Sequence, residues 1–382
     1  MSEPGSPPLR RILHMIDTGG PGGAESVLAN LVEALPKGAW ASRVVLPREG
    51  WLRDRLLGSG VDTRVCPSKG SADIPFLLEL VGEVRSFGPD LIHAHLLTSG
   101  VYGTMASSLA GGPPLVCTLH GEPDVPAADP LLWVKSRTLS RDTNRVVYVS
   151  QDLRRRLEAR LGVPPRLGRV IHNGVRFLDS PGGDGQPLGL DILPGEELVG
   201  AVGNVREAKD YPNLLRAARL VRNVRPNVRF VVLGEAKGCL WDAIAGLRRD
   251  LGLEGTVDFL GFKPRIRDFL RSFDVFVSSS STEGLPLAPI EAMGLGKAVV
   301  LTRCGGVEEI VRHEKNGILV PPANPGALAA GILRLLENPT EAGQLGQRAR
   351  VDVRTRFSLE AMVAGYQHLY LELLQQGKTR DA

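Results

Sequence analysis

The strongest constraint on the fold is an alternation that runs through the chain twice. Short runs rich in β-branched residues recur as RILHMID (11–17), SRVVLP (42–47), DTRVC (62–66), DLIHAHL (90–96), LVCTLH (115–120), RVVYVS (145–150) and RVIHNG (169–174). Between them lie segments of helical period such as AESVLANLVEAL and PFLLELVGEVRSF. Strands that alternate with helices in this way predict an α/β protein with a parallel sheet covered on both faces. A run rich in Gly, Pro and Asp follows, DSPGGDGQPLGLDILPGEE (179–197), which has little to pack and reads as a linker. The pattern then restarts with ELVGAVGNV (197–205), RFVVLGE (229–235), TVDFLG (256–261), DVFVSSS (274–280), AVVLTR (298–303) and GILVP (317–321). A chain of 382 residues exceeds one ordinary core. The expected boundaries are an N-terminal domain over 1–180, a linker over 181–196, a second domain over 197–357 and a closing helix within 358–382. Ligands in such sheets bind beyond the carboxyl ends of the strands, in a cleft that two such halves leave between them.

Composition narrows the function classes. Charged residues make up 23% and hydrophobic ones 43%, a foldable balance without a disordered signature. No stretch approaches the roughly 18 apolar residues of a spanning helix, and the start has no apolar leader segment, so a cytoplasmic protein is expected. Cys66, Cys117, Cys239 and Cys304 show no CxxC spacing, which argues for reduced thiols over a zinc or disulfide framework. A net charge of +4 carries no nucleic-acid signature. The basic residues nevertheless cluster, with Lys135, Arg137, Arg141, Arg145, Arg154, Arg155, Arg156, Arg160, Arg166 and Arg169 in one stretch. That stretch is either a solvated helix face or a face for anionic lipid or a phosphorylated acceptor.

Chemistry should sit in the loops that follow the strands. TGGPGGAES (18–26) lets backbone approach a ligand and opens a helix near Gly23, which suits a plain tight turn or a phosphate. In GNVREAKDYPNLL (203–215), Arg206 and Lys209 lie between a strand and a helix start, as surface charges or as partners of a diphosphate. His93 and His95 share one strand face, but no third metal ligand is apparent, so packing or hydrogen bonding is expected of them. His120 closes its strand and should lie at the mouth of the cleft. The stretch STEGLPLAPIEAMGLG (281–296) holds Glu283 in a Gly/Pro loop and Glu291 in a helix that starts near Pro289. The pair could be a general acid and base, a metal pair or two hydroxyl binders, with backbone N–H groups of LPLA between them.

Taken together, these residues resemble the retaining glycosyltransferases of family 4, which have the GT-B fold of two facing Rossmann-like domains. The resemblance spans roughly residues 10–375. Its most specific piece is EGLPLAPIEAMGLGKAVV (283–300), two glutamates separated by seven residues. GGAES (22–26), IHAH (92–95), TLHG (118–121), VIHNGV (170–175), CGGVEEIV (304–311) and NGILVPP (316–322) match in order and spacing. The family commonly has an arginine directly after the strand glycine; here Asn204 stands there and Arg206 is the nearest arginine.

The resemblance implies a nucleotide-sugar donor and a hydroxyl acceptor of unknown type. It assigns Glu291 to ribose hydroxyls, Glu283 to the donor sugar, Arg206 and Lys209 to the diphosphate, and His120 to a place beside the sugar. Gly22, Gly23, Gly203, Asn204, Gly261, Phe262, Gly284, Leu285, Pro286 and Leu287 would line the donor, and His95 and Glu25 would face the acceptor side. The final helix would pack back on the N-terminal domain. No cofactor and no metal is expected, because no DxD-like cluster is present. Two other classes remain, a nucleotide-sugar 2-epimerase and a non-catalytic nucleotide-sugar-binding protein.

Overall fold

A computed structural model of the protein describes residues 8–70, 72–125, 128–178 and 190–378. They form two compact units. Residues up to Gly174 together with those from Leu359 onward make the first, and Val175–Ser358 the second.

In the first unit the strands are β1 (Arg10–Ile16), β2 (Trp40–Leu46), β3 (Asp62–Val65), β4 (Leu91–His95), β5 (Leu115–Leu119), β6 (Arg145–Tyr148) and β7 (Gly168–Val170). Their helices are α1 (Gly23–Ala34), α2 (Trp51–Gly58), α3 (Ile74–Phe87), α4 (Leu97–Ala110), α5 (Leu132–Asp142) and α6 (Gln151–Leu161). In the second unit lie β8 (Glu197–Val202), β9 (Val228–Leu233), β10 (Val257–Phe259), β11 (Val275–Ser278), β12 (Ala298–Thr302) and β13 (Ile318–Val320). Its helices are α7 (Tyr211–Val224), α8 (Cys239–Asp250), α9 (Ile266–Ser272), α10 (Leu287–Gly294), α11 (Val307–Ile310), α12 (Pro325–Glu337) and α13 (Pro339–Arg356). The last helix, α14 (Leu359–Lys378), belongs to the first unit.

Both sheets are parallel throughout, ordered β3-β2-β1-β4-β5-β6-β7 and β10-β9-β8-β11-β12-β13. The α/β class read from the alternation is therefore the class of the molecule. Every residue of β4, β5 and β12 is buried, as expected where helices cover both faces of a parallel sheet. In each sheet the strand order reverses once, between β1 and β4 and between β8 and β11. These are the topological switch points, where the loops leaving adjacent strands diverge and leave room for a ligand.

Local chemistry explains how a site-bearing loop is held. Helix α7 starts at Asp210, which adopts the left-handed conformation (φ 43°) and accepts the Asn213 N–H on its side chain. Pro212 fits the first turn, where no N–H is needed. Leu214, Leu215, Ala217, Ala218 and Val221 recur at helical spacing and are buried against the sheet.

Two boundaries differ from expectation. β2 begins at Trp40, whose ring packs on Tyr370 of α14, a contact local patterning does not report. The units divide between Gly174 and Val175, earlier than residue 180, because the Val175 N–H bonds Phe357 O (2.9 Å) within the second unit. Most of the expected linker, residues 181–189, lies outside the described residues; Leu190 beyond it is buried.

Candidate active site

The second unit's switch point gathers the loops after β8 and β11. Lys209 Nζ lies 2.7 Å from Glu283 Oε1, and Ser280 Oγ donates to the same oxygen at 2.7 Å. The two side chains are only 24% and 14% exposed, so this is a half-buried ion pair. Lys209 is thus not the solvent-facing loop cation its neighbours in sequence suggest. Its stem packs on Gly203, where an added Cβ would come within 2.7 Å of Lys209 Cε. The loops are sewn together by Ser279 Oγ to Lys209 O (2.8 Å) and Ser281 N to Ala208 O (2.8 Å). Tyr211 OH donates to Gly203 O.

Arg206 stands at the start of the short 3-10 turn Glu207–Lys209, with its side chain in solvent and free of ion pairs among the described residues. Asn204 accepts the Glu235 N–H on Oδ1 (2.9 Å), so the residue at the family's arginine position has a structural bond of its own. Gly234 faces it at φ 141°, a backbone only glycine adopts readily, with Gly203 O where a Cβ would stand. Gly234 N–H in turn bonds Gly261 O (3.0 Å), and Phe262 beyond it is exposed.

Glu283 also holds backbone, since its carbonyl accepts the Gly306 N–H (3.3 Å). Gly284 and Leu285 are buried, Pro286 precedes α10, and Leu287 is its first residue. Of the LPLA amides, Leu285, Leu287 and Ala288 carry an N–H and Pro286 does not. Glu291 lies one turn further along α10 and lines a separate open hollow of about 350 Å³ with Arg176, Phe177, Ile266 and Arg267. Glu283 and Glu291 therefore face different surroundings: one is locked to a lysine, the other borders a hollow with an aromatic wall.

In the first unit the switch point lies between Asp17 after β1 and Leu96 after β4. Gly22 precedes α1, and an added Cβ there would collide with Glu25 Oε2 at 2.3 Å. Gly23, the first residue of α1, has open space where a Cβ would be. Glu25 is buried, and burial pushes the nearby Asp17 carboxyl up to about 6. Leu96 takes φ 75°, a strained value for a bulky residue at the strand's end.

The histidines form a buried row. His14 on β1 pairs in register with His93 on β4, so a third imidazole joins the two that the sequence reading found alone. His93 Nδ1 meets Tyr370 OH at 2.7 Å and its Nε2 meets Thr118 Oγ1 at 2.8 Å, so both ring nitrogens are satisfied within the core. Thr118 Oγ1 also meets Tyr366 OH at 3.1 Å. His95 Nδ1 lies 2.9 Å from His120 Nε2. Burial holds all four histidines well below the usual imidazole range, His14 and His120 at about 3. His120 is half-buried, with its backbone N–H on Asp124 Oδ2 (2.6 Å), and burial pushes that carboxyl up to about 7.

Sequence reasoning missed Ser280, Thr118, Tyr366, Tyr370 and Asp124. Asp124 alone left a local signal, as the acid four residues after His120 in a Gly/Pro turn. The basic stretch is also not one face. Lys135 is buried against Asp129 (2.8 Å), and Arg145, Arg154, Arg156 and Arg169 each pair with a carboxylate. Arg137 and Arg141 remain exposed on α5 beside Trp133, which is 71% exposed. All four cysteines are free thiols.

Comparison with known proteins adds the following. The family profile described as Glycosyl transferases group 1 matches residues 190–352, and that of Glycosyltransferase Family 4 matches residues 21–177. The D-inositol 3-phosphate glycosyltransferase of Segniliparus rotundus is 30% identical over 320 residues, covering 79% of this chain and 70% of that protein. The Escherichia coli UDP-Gal:alpha-D-GlcNAc-diphosphoundecaprenol alpha-1,3-galactosyltransferase is 24% identical, with 79% and 80% covered. The match spans about half the length of two other curated relatives. Among solved structures, Anabaena HepE in complex with UDP and glucose superposes with a TM-score of 0.83 at 25% identity, over 94% of this chain and 98% of that one.

Proposed function

The chain belongs to the group 1 glycosyltransferases of family 4, and from that premise we propose a retaining enzyme that moves a sugar from a nucleoside-diphosphate sugar to an acceptor hydroxyl. The observation that carries this reading is the Lys209–Glu283 pair at the second unit's switch point. A lysine and a carboxylate held together there have one obvious joint use, the diphosphate for the cation and the sugar hydroxyls for the anion. Arg206, free in solvent, adds a second cation for the diphosphate, and the N–H groups of Leu285, Leu287 and Ala288 add donors near the start of α10. Glu291, on its hollow, takes the ribose hydroxyls. In the first unit Gly23 leaves open space for an anion at the start of α1, whereas the space over Gly22 is taken by Glu25, and His120 is assigned to a sugar hydroxyl. HepE holding UDP and glucose and the E. coli relative using UDP-Gal favour a nucleotide-sugar donor.

As the anomeric carbon loses its phosphate, negative charge grows on the leaving group. A cation about 4 Å away interacts with it by roughly 4 kcal/mol at an effective dielectric near 20. If half of that appears only in the transition state, losing the cation slows turnover between about ten- and a hundredfold. The leaving phosphate takes the acceptor's proton, so no separate base is needed on the same face. We assign no metal to this step, because Lys209, Arg206 and backbone amides supply the positive charge. Transfer from UDP-sugars, with product stereochemistry read by NMR with and without excess EDTA, tests the proposal. An inverted product or simple epimerisation sinks it, and complete loss in EDTA that magnesium restores sinks the metal-free reading.

A second reading concerns where the acceptor is met. Trp133, Val134, Arg137 and Arg141 occupy one exposed arc of α5. An aromatic with basic neighbours on one helix face suits an anionic bilayer, at about 1 kcal/mol per basic group. No helix of the described residues is long and apolar enough to cross a membrane, so this contact would be peripheral. Co-sedimentation with phosphatidylglycerol vesicles at physiological salt should fall at least about fivefold in Trp133→Ala/Arg137→Glu; unchanged binding removes the idea.

A further inference from the structure

Four serines in succession, Ser278 to Ser281, carry the second unit's chain from the end of β11 to the Glu283 loop. On extended backbone successive side chains point to opposite sides, and these hydroxyls divide by that rule. Ser279 Oγ donates to Lys209 O (2.8 Å) and Ser281 Oγ reaches Ala208 O (3.4 Å), so the odd-numbered pair holds the backbone that carries the lysine. The even-numbered pair turns to the carboxylate: Ser278 Oγ meets Ser280 Oγ at 3.0 Å, and Ser280 Oγ meets Glu283 Oε1 at 2.7 Å. Counting hydrogens fixes the direction of these bonds. The carboxylate of an ion pair only accepts, and an ammonium only donates. The one hydrogen of Ser280 therefore goes to Glu283, and Ser278 donates to Ser280. Glu283 Oε1 thus receives two donors, Ser280 Oγ and Lys209 Nζ. Both lone-pair sites of that oxygen are then taken, and a further hydroxyl meets the carboxylate at Oε2.

We propose that Ser280 is a positioning residue for Glu283: it anchors Oε1 and so presents Oε2 to the hydroxyls of the donor sugar. This rests on the assignment of Glu283 to that sugar made above, and adds which oxygen is used and what aims it. The lysine cannot do the aiming alone. Its charge sits on a flexible four-carbon stem, which restricts distance more than direction, and the diphosphate competes for it. Ser280 is the rigid partner. It is wholly buried, and its carbonyl accepts a hydrogen bond from Thr302 Oγ1 on the neighbouring strand β12. The backbone of Glu283 is held too, with its carbonyl on the Gly306 N–H, so what remains to be set is the carboxylate itself. Such aiming matters for rate, since a displacement of about 1 Å at a reacting centre loses on the order of a hundredfold.

The test separates the two sides of the serine run. Ser280→Ala and Ser280→Cys in the full chain both remove the strong donor, and the cysteine also keeps the volume filled, so it stays folded where alanine does not. With the UDP-sugar that the parent turns over, kcat should fall about tenfold in both, while the dissociation constant of UDP stays within about twofold. Ser279→Ala, which loosens the lysine's backbone, should instead weaken UDP by about fivefold. A merely structural serine would not make this split. In a Glu283→Ala background, adding Ser280→Cys should change kcat by less than about twofold, because its effect runs through the carboxylate. A folded Ser280→Cys with kcat within twofold of the parent overturns the proposal. So do losses that multiply in the double variant, and a loss of UDP affinity as large as that of Ser279→Ala. Full turnover in Glu283→Ala is a different failure, visible before any serine is changed: it removes the sugar role of Glu283 and with it the premise.

Discussion

At the scale of single residues, the Lys209–Glu283 pair changes what each mutation should do. Lys209→Ala would remove the cation proposed for the diphosphate and also take the lysine away from a half-buried carboxylate that Ser280 still bonds. Leaving such a group under-paired costs about 2 kcal/mol. Lys209→Ala should therefore lower both thermal stability and turnover, the latter at least tenfold. Adding Glu283→Gln should restore the stability but not the turnover, a split that urea denaturation and initial rates would read; recovery of both, or of neither, contradicts the pair. The two glutamates should also fail differently. Glu291→Gln should weaken free nucleoside diphosphate and donor alike, because ribose is common to both. Glu283→Gln should leave nucleoside diphosphate binding unchanged or tighter, since Lys209 is released to the phosphates, while kcat falls. Calorimetric titration showing the reverse order of losses would remove these roles.

At the scale of elements, α14 is the informative case. It is the last segment of the described chain, yet it completes the first unit. Tyr366 and Tyr370 lie one turn apart on it, fully buried, and bond Thr118 and His93 in the sheet. A tyrosine buried with its hydroxyl satisfied packs as an aromatic and bonds as a polar group at once. Tyr370→Phe keeps the ring and strands His93 Nδ1 in the core, so it should destabilise the fold by about 1–3 kcal/mol. The stronger sign is that Tyr370→Phe combined with His93→Phe, in which neither partner is left over, should be no worse than Tyr370→Phe alone. Additive losses in that cycle would mean the hydrogen bond contributes nothing.

For the whole molecule, buried histidines and carboxylates make stability depend on pH. His14, His93, His95 and His120 have folded-state pKa values below the ordinary 6.5, so their contribution is present above 6.5 and lost as pH falls. Asp17 and Asp124, raised to about 6 and about 7, act in the opposite sense and gain as pH falls. Near pH 5 the unfolded chain has taken up four protons on these histidines, and the folded chain two on the carboxylates. Stability should then fall by about 2.7 kcal/mol for each unit of pH lowered between roughly 6 and 4. Urea denaturation at pH 7.5, 6 and 5 measures it. His14→Phe, which leaves three protons against two, should flatten the slope by about half, and a flat profile in the parent would mean the row is not kept neutral.

The alternation of β-branched and helical runs determined the two parallel sheets, because burial on both faces demands near-continuous apolar strands and that demand is local. The loops after the strands were legible for the same reason: Gly, Pro and charged residues next to an apolar run have few other uses. The glutamates of EGLPLAPIE and the lysine of GNVREAK stood out as candidate site residues, but Glu283 and Lys209 not as partners, since their ion pair spans 74 positions and depends on β8 and β11 lying side by side. The same holds for the core of the first unit. His14 completes the row only because β1 and β4 are neighbours with His14 opposite His93, and Tyr366 and Tyr370 reach it only because the chain's end returns. Even the basic stretch around residue 150 meant less than its charge suggested, for Lys135 and most of its arginines are paired with carboxylates, some nearby in sequence as Arg154 with Glu158, others far along the chain as Arg145 with Glu372. Residue type and period are properties of neighbours along the chain, whereas hydrogen-bond partners, tautomers and shifted pKa values are properties of neighbours in space.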